Sequence, residues 1–553
     1  MKPKKKPSAL VIVVLLAAAA AAVVIGAVLL SGATYQEIYL ETNECFGITE
    51  ENQAAVVMDG KLLEEKAVNE NGRIYLSWDL VSGLPGNALY FEKSSGTLYL
   101  TTQNESKTWK NGSGVFLLSE DGKAFIDAET VKNCSDAEIG IYADPARTVI
   151  RTSWTDVVKA EALEDTFMRD EPGKKGHIVS DIPAQTVLNY TGTEEKGWSL
   201  VWADSGYFGY IETAKLHFDE PQDLPHETNE LTVFDKILMN ETVKMVWHYV
   251  DVQENNDILD YMLEDTDGIS LICPTWITIE NKNGDIYSLA DAEYVRNIRS
   301  RNMKIWTMVS DYLGGDASTG DILDDPNSRK NLVEQIIKVA KDYGLNGINI
   351  DFETITEEHT PAFLQFLREL SVQTHELGMI LSVDNYVPEF TRYYNRAEQA
   401  KIVDYLIIMG YDEHTEYSSE PGSVASLPFV KEGIEETLRE VPKEQLILGV
   451  PFYTRSWTRL LGAEGFETQA LAMPRAEEFC KEKGIELVWD ENLGQNVGSA
   501  QDDKALYSIW MEDEASLAKK LELVNIYGLC GAAAWRLGLE NAGVWAVWNK
   551  YLK

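Results

Sequence analysis

From Thr232 to the end of the chain, runs that read as strands alternate with runs that read as helices. The strand-like runs are Lys244–Val250, Gly268–Thr278, Lys304–Ser310, Gly347–Glu353, Met379–Tyr386, Tyr405–Tyr411, Gln445–Tyr453 and Gly528–Trp535. Strands that alternate with helices build a parallel sheet, and eight such repeats suit a closed (β/α)8 TIM barrel of about 250 residues. The surplus length is expected as an insertion at Thr454–Met511, before the eighth strand, where Ala476–Trp489 reads as helix then strand. A doubly wound open sheet is the alternative. Polar or aromatic residues close nearly every strand, as a barrel mouth requires, and that favours the barrel.

The fourth run is the most informative. In Gly344–Glu353, Asn349, Asp351 and Glu353 fall on one parity and Ile348, Ile350 and Phe352 on the other. A period of two is a β-strand. Its apolar face suits the helix-like segments Asn331–Tyr343 and Thr360–Leu377 on either side, and its other face carries two carboxylates and an amide. The remaining strand ends are rich in Trp, Tyr and acids: Trp247-His248-Tyr249, Pro274-Thr275-Trp276, Ser310-Asp311-Tyr312, Asp384-Asn385-Tyr386, Met409-Gly410-Tyr411-Asp412, Pro451-Phe452-Tyr453 with Arg455, and Trp535-Arg536. Carboxylates ringed by aromatic faces suit a carbohydrate, whose C–H faces stack on rings while its hydroxyls bond to carboxylates and amides. No Gly-rich loop or Lys at this mouth suggests a phosphate ligand, and no His or Cys cluster suggests a metal or cofactor.

These motifs resemble glycoside hydrolase family 18. Asn346-Gly-Ile-Asn349-Ile-Asp351-Phe-Glu353 is similar to its Asp-x-x-Asp-x-Asp-x-Glu signature, and Met409-Gly-Tyr411-Asp412 to its sixth-strand motif. Gly449-Val-Pro-Phe-Tyr453-Thr-Arg455 and Gly531-Ala-Ala-Ala-Trp535-Arg-Leu-Gly resemble its seventh- and eighth-strand motifs. The Asn-Ile-Asp-Phe-Glu form is closest to the bacterial spore-cortex and peptidoglycan glucosaminidase branch. The resemblance implies a retaining hydrolase of N-acetylglucosamine-containing glycan in which the substrate's own 2-acetamido oxygen attacks the anomeric carbon. It further implies Glu353 as proton donor, Asp351 as orienter of the acetamido group, and Tyr411 and Asp412 as its holders. Trp535 becomes the floor of the sugar site. Asn349, Arg455, Tyr453, Trp276, Met409, Asn385 and Tyr386 complete the expected substrate-binding set. Asp351, roughly 6–7 Å along the strand, would be the negative neighbour that keeps Glu353 protonated. Both earlier acids of the signature are Asn here. Asn349 cannot share a proton, so Asp351 is expected to ionise more readily than in the full motif. Chitin and peptidoglycan both remain open as substrates, as do endo and exo cleavage and a binding-only protein.

The rest of the chain reads as an exported assembly. Residues 1–33 hold Lys2, Lys4, Lys5 and Lys6 followed by Ala9–Leu30, an apolar run of 22 residues. That is long enough to span a bilayer with the amino end in the cytoplasm. A signal peptide cleaved near Ser31-Gly32-Ala33 is the rival reading. Residues 34–151 hold short alternating strands and the turn signals Asn71-Gly72, Ser95-Gly96, Asn111-Gly112 and Asp121-Gly122. The pattern Met58-Asp-Gly-Lys61 with Asn71–Trp78 resembles the amino-terminal domain of copper amine oxidases, without a copper site. Residues 152–218 carry strands at Thr186–Tyr190, Trp198–Trp202 and Tyr207–Ile211 and resemble a bacterial SH3-like domain. In such a domain Trp198, Trp202, Tyr207 and Tyr210 would form either a wall-peptide groove or the domain's own core. The Pro-containing stretch 219–231 reads as a linker to the barrel at 232–553. A formal net charge of −40 argues against nucleic acid as a partner. The expected state is a monomer facing cell-wall glycan. Five scattered cysteines give no metal spacing. Cys273 and Cys530 read as buried thiols, and a Cys45–Cys134 bridge is an option in an oxidising exterior.

Overall fold

A computed structural model of the chain describes residues 37–553 apart from Glu227, Leu313 and Ala463. The expected anchor Ala9–Leu30 lies outside the described residues; among the described residues no helix is long and apolar enough to cross a membrane. The chain forms two compact units, one containing residues up to Pro85 with Gly114–Thr228, the other Gly86–Ser113 with Asn229–Lys553.

The first unit is mainly β. A mixed sheet includes Gln53–Met58 paired in parallel with Ala146–Arg151. A seven-stranded antiparallel sheet spans Lys159–Phe218. Trp202 is buried against Phe46, Val57 and Val149, and Tyr207 meets the Phe46 ring edge-on at 5.0 Å, so these two aromatics belong to the core. Cys45 and Cys134 are both buried and are not joined by a disulfide, which corrects the bridge considered for them.

The second unit is built on eight parallel strands: β1 Val243–His248, β2 Leu271–Pro274, β3 Lys304–Ser310, β4 Gly347–Asp351, β5 Ile380–Tyr386, β6 Tyr405–Met409, β7 Leu446–Pro451 and β8 Gly531–Trp535. Each pairs with its sequence neighbours, β8 pairs with β1, and Leu271 and Ile272 of β2 pair with Lys304 and Ile305 of β3. The sheet is therefore a closed barrel and not an open doubly wound sheet. Its inside is packed with large apolar side chains, among them Met245, Trp247, Trp306, Tyr405 and Ile407.

Local sequence signals place β4. Helix α1, Pro326–Tyr343, starts with Pro at its first position and with Asp325 accepting from the Ser328 N–H. It stops at Gly344, whose left-handed φ of 61° costs a glycine little. Ile348, Ile350 and Phe352 are buried as the alternation requires, and Phe352 packs on Phe363 and Phe366 of helix α2, Thr360–Glu376. Helix α3, Arg396–Ile402, covers β5 and β6.

Two additions frame the barrel. The three-stranded sheet Leu89–Glu92, Thr97–Thr101 and Ser106–Lys110 belongs to this unit although the sequence groups it with 34–151. Buried polar groups pin it to α1 and α2: Gln365 donates to Thr101 Oγ1 at 2.8 Å, and Arg368 to the Asn87 carbonyl at 2.6 Å. Arg329, paired with Glu369 at 3.1 Å, lies over the rings of Tyr90 and Tyr99. The second addition is the insertion between β7 and β8, a five-stranded antiparallel sheet from Tyr453 to Trp510 that includes helix α4, Met473–Lys483. Its return to the barrel is tied by Glu512. That carboxylate receives Lys520 of helix α5, Glu514–Tyr527, at 2.9 Å, Gln495 at 2.7 Å and Ser516 at 2.8 Å, while the Glu512 N–H donates to Thr454 at 2.9 Å. Lys520 and Glu512 are fully buried.

Removing one partner of such a pair strands a buried charge. Lys520→Met is expected to destabilise the protein by about 3–5 kcal/mol, read as a lower urea midpoint. The double variant Lys520→Met with Glu512→Leu is expected to recover most of that loss.

Candidate active site

The carboxyl ends of β3 to β6 and β8 meet in a cavity of about 130 Å³, lined by Met308, Asp351, Glu353, Asp384, Tyr386, Met409, Tyr411, Asp412 and Trp535. Strand parity builds it. Asn349, Asp351 and Glu353 rise along one face of β4 towards the mouth. Asn349 is the dry base: its Oδ1 accepts from Trp247 Nε1 at 2.9 Å, and its Nδ2 donates to Ser382 Oγ at 3.0 Å and Asp384 Oδ1 at 2.7 Å. Trp247 in turn meets Trp535 edge-on at 5.9 Å, which sets the aromatic wall. Asp412 has a left-handed φ of 59°, a conformation Asp tolerates better than most residues. Its carboxylate accepts from the Tyr453 hydroxyl.

Most sequence-expected residues gather here. Asp351, Glu353, Tyr386, Met409, Tyr411, Asp412 and Trp535 line the cavity. Tyr453 and Arg455 stand behind Asp412. Arg455 pairs with Glu416 at 3.1 Å and donates to Thr468. Two expectations are corrected. Trp276 is buried, donates its Nε1 to Asn256 at 2.8 Å and packs on Tyr294, because β2 ends at Pro274 and the chain turns it outward. Asn385 also points outward, donating to Gln399 of α3 at 2.7 Å. Asp384 and Tyr386, on the opposite parity of β5, are the inward pair. Asp384 and Met308 were absent from the expected set, and alternation along β5 is the signal that identifies Asp384.

Burial first, then the charges of Asp384, Glu353 and Asp311, hold the Asp351 carboxyl well above the usual carboxylate range. Asp351 thus ionises less readily than a free carboxylate. The neighbouring acid that Asn349 cannot provide is supplied by Asp384, itself raised well above the usual range by burial despite the opposing hydrogen bond from Asn349. Among the described residues Asp351 Oδ1 and Asp384 Oδ2 have no hydrogen-bond partner, and two like charges at such a site cannot both ionise cheaply. Glu353 is raised by burial, opposed by the hydrogen bond that the Tyr386 hydroxyl donates to Oε2, and raised again by Asp311 and Asp412. Asp351 is a further negative neighbour, since the Glu353 charge in turn raises the Asp351 carboxyl. The Glu353 side chain is open at the rim, so water screens part of the effect. Asp412 is raised by burial and lowered by Tyr453 and Arg455. One exposed acid over a half-buried and a buried one, beside a tyrosine and a tryptophan, can deliver a proton and steady a positive centre.

The sequence profile of glycosyl hydrolases family 18 matches residues 245–540. An uncharacterized glycosylase of Bacillus subtilis, YvbX, is 25% identical over 286 residues, 49% of this chain and 82% of that protein. The cortical fragment-lytic enzyme of Bacillus subtilis is 25% identical over 232 residues, 40% of this chain; the chain spans about half (54%) of that relative's length. The crystal structure of a chitinase from Chromobacterium violaceum shares the fold, with a TM-score of 0.50 and 22% identity over 56% of this chain and 99% of that one. The profile covers more than half of the sequence and spans every residue that lines the cavity, so the chain belongs to the glycosyl hydrolases of family 18.

Proposed function

We propose that this glycosyl hydrolase is a retaining enzyme acting on N-acetylglucosamine-containing glycan of the cell wall, with Glu353 as its acid and base. The observation that carries the reading is the placement of Glu353. It stands at the open rim with its carboxyl raised, in one cavity with the half-buried Asp351 and the buried Asp384. In the first step Glu353 gives its proton to the glycosidic oxygen as the bond to the anomeric carbon breaks. The substrate's acetamido oxygen closes on that carbon, giving a cyclic oxazolinium. Asp351 accepts from the acetamido N–H, and the negative charge near it balances the developing cation. The Tyr411 hydroxyl donates to the acetamido oxygen, Asp412 stands beside the same group, and Trp535 lies under the sugar ring. Glu353, now a carboxylate, then takes a proton from the water that opens the ring with net retention. Substrate-assisted attack needs no enzyme nucleophile, so the separation of the two carboxylates does not set the stereochemistry.

Wall glycan is favoured over chitin by the similarity to a cortical fragment-lytic enzyme and by the exported arrangement read from Lys2–Leu30. The membrane anchor and the SH3-like and amine oxidase-like characters of the preceding β domains are part of the same proposal. They would place the barrel outside the membrane against its polymer.

The reading is tested by incubating the protein with peptidoglycan, spore cortex and chitooligosaccharides and measuring new reducing ends. Release from the wall substrates with retained anomeric configuration is expected, and no release from any of the three would refute it. Glu353→Gln is expected to lower kcat/KM by about 10²–10⁴-fold. The Tyr386 hydroxyl stabilises the Glu353 anion, so Tyr386→Phe raises the Glu353 pKa and keeps the acid protonated to higher pH. The alkaline limb of the pH–rate profile is expected to move up by about one unit, from the loss of a hydrogen bond to a charged group.

A further inference from the structure

The turn that follows β4 is held by a side chain that does not line the cavity. Asp311, immediately after β3, is 5% exposed. Its Oδ2 accepts from the Glu353 N–H at 2.6 Å and the Thr354 N–H at 3.0 Å, and its Oδ1 accepts from the Thr354 hydroxyl at 2.9 Å. Thr319, at the start of the short helix Thr319–Asp324, adds a further hydrogen bond. The two amides can only donate, which suits a carboxylate acceptor; burial raises the Asp311 carboxyl and these hydrogen bonds oppose the rise. The same oxygens therefore bridge β3, the β4 turn and the helix that follows β3. The strand itself ends at Asp351, two residues short of Glu353. Ladder bonds do not fix the Glu353 backbone; Asp311 does.

We infer that Asp311 is the positioning residue of this active site: its buried carboxylate clamps the Glu353 and Thr354 amides and so fixes where the acid stands over the sugar site. The inference rests on Glu353 being the acid. It adds a second effect by charge. The groups facing Glu353 are Asp311 from β3, Asp351 from β4, Asp384 and Tyr386 from β5, Asp412 beyond β6, and Tyr394, whose hydroxyl donates to the Phe352 carbonyl at 2.9 Å. Asp311 is among the negative charges that disfavour the Glu353 anion. Removing its charge lowers the Glu353 pKa, and the protonated acid is then lost at a lower pH.

Asp311→Asn keeps the shape and an acceptor oxygen for the two amides but removes the charge. With soluble oligosaccharide as substrate, it is expected to move the alkaline limb to lower pH with KM within about twofold. Asp311→Ala removes the clamp as well, and a fall in kcat of roughly tenfold to a hundredfold is expected, the scale of a misplaced catalytic group. An unchanged alkaline limb in Asp311→Asn overturns the inference, and because that variant is isosteric it does so even where Asp311→Ala fails to fold. Glu353→Gln run alongside separates the two claims. Retained activity there removes the proposed acid itself, whereas lost activity with an unchanged Asp311→Asn profile removes only the role of Asp311.

Discussion

Asn349 sits in the dry centre of the barrel, and each of its polar groups is used. It takes the indole N–H of Trp247 and gives its own amide to Ser382 and Asp384. An amide suits this place because it can donate and accept at once, whereas a carboxylate facing Asp384 would need a shared proton. Three strands are joined through one side chain, and the bond to Trp247 fixes the indole against which Trp535 rests. The aromatic wall and the acid pair of the cavity both depend on it. An unpaired polar group at this depth costs free energy, so the contacts also hold β1, β4 and β5 in register.

Above that amide the barrel concentrates negative charge where it is hardest to ionise. Asp311, Asp351, Asp384 and Asp412 surround Glu353, and burial raises each of them. The site differentiates them by their hydrogen bonds. Asp311 accepts several donors and Asp412 is relieved by Tyr453 and Arg455, while among the described residues Asp351 and Asp384 each keep an oxygen unsatisfied. Carboxyl groups that are alike in sequence thus take different parts: a clamp, a supported anion, a pair that holds a proton, and an acid at the rim.

The additions to the barrel are fastened by buried polar contacts as much as by apolar packing. Arg329, Gln365 and Arg368 hold the three-stranded sheet, and the Glu512–Lys520 pair holds the insertion. Such contacts are directional. They fix one arrangement where a purely apolar seam would tolerate sliding. Tyr453, which supports Asp412, opens the first strand of that insertion, so the fastening of the insertion bears on the site.

The periodicities are legible in the chain before it folds. Two-residue alternation in Ile348–Phe352 marks the strand and its buried face, and eight alternations of strand and helix mark the barrel. The motifs at the strand ends name most of the cavity. Those signals are local, and the backbone obeys them wherever the strand lies. What depends on neighbours across the barrel emerges only in the folded molecule. Folding turns Trp276 and Asn385 away from the cavity, Trp276 because the chain leaves β2 at Pro274 and Asn385 because β5 presents Asp384 and Tyr386 inward. It draws Gly86–Ser113 to the barrel helices through partners some 280 residues away in the chain. It also decides how readily Asp351 ionises. A carboxyl's proton affinity is set by burial and by charges contributed from other strands, and no spacing along β4 reveals that Asp384 stands beside it.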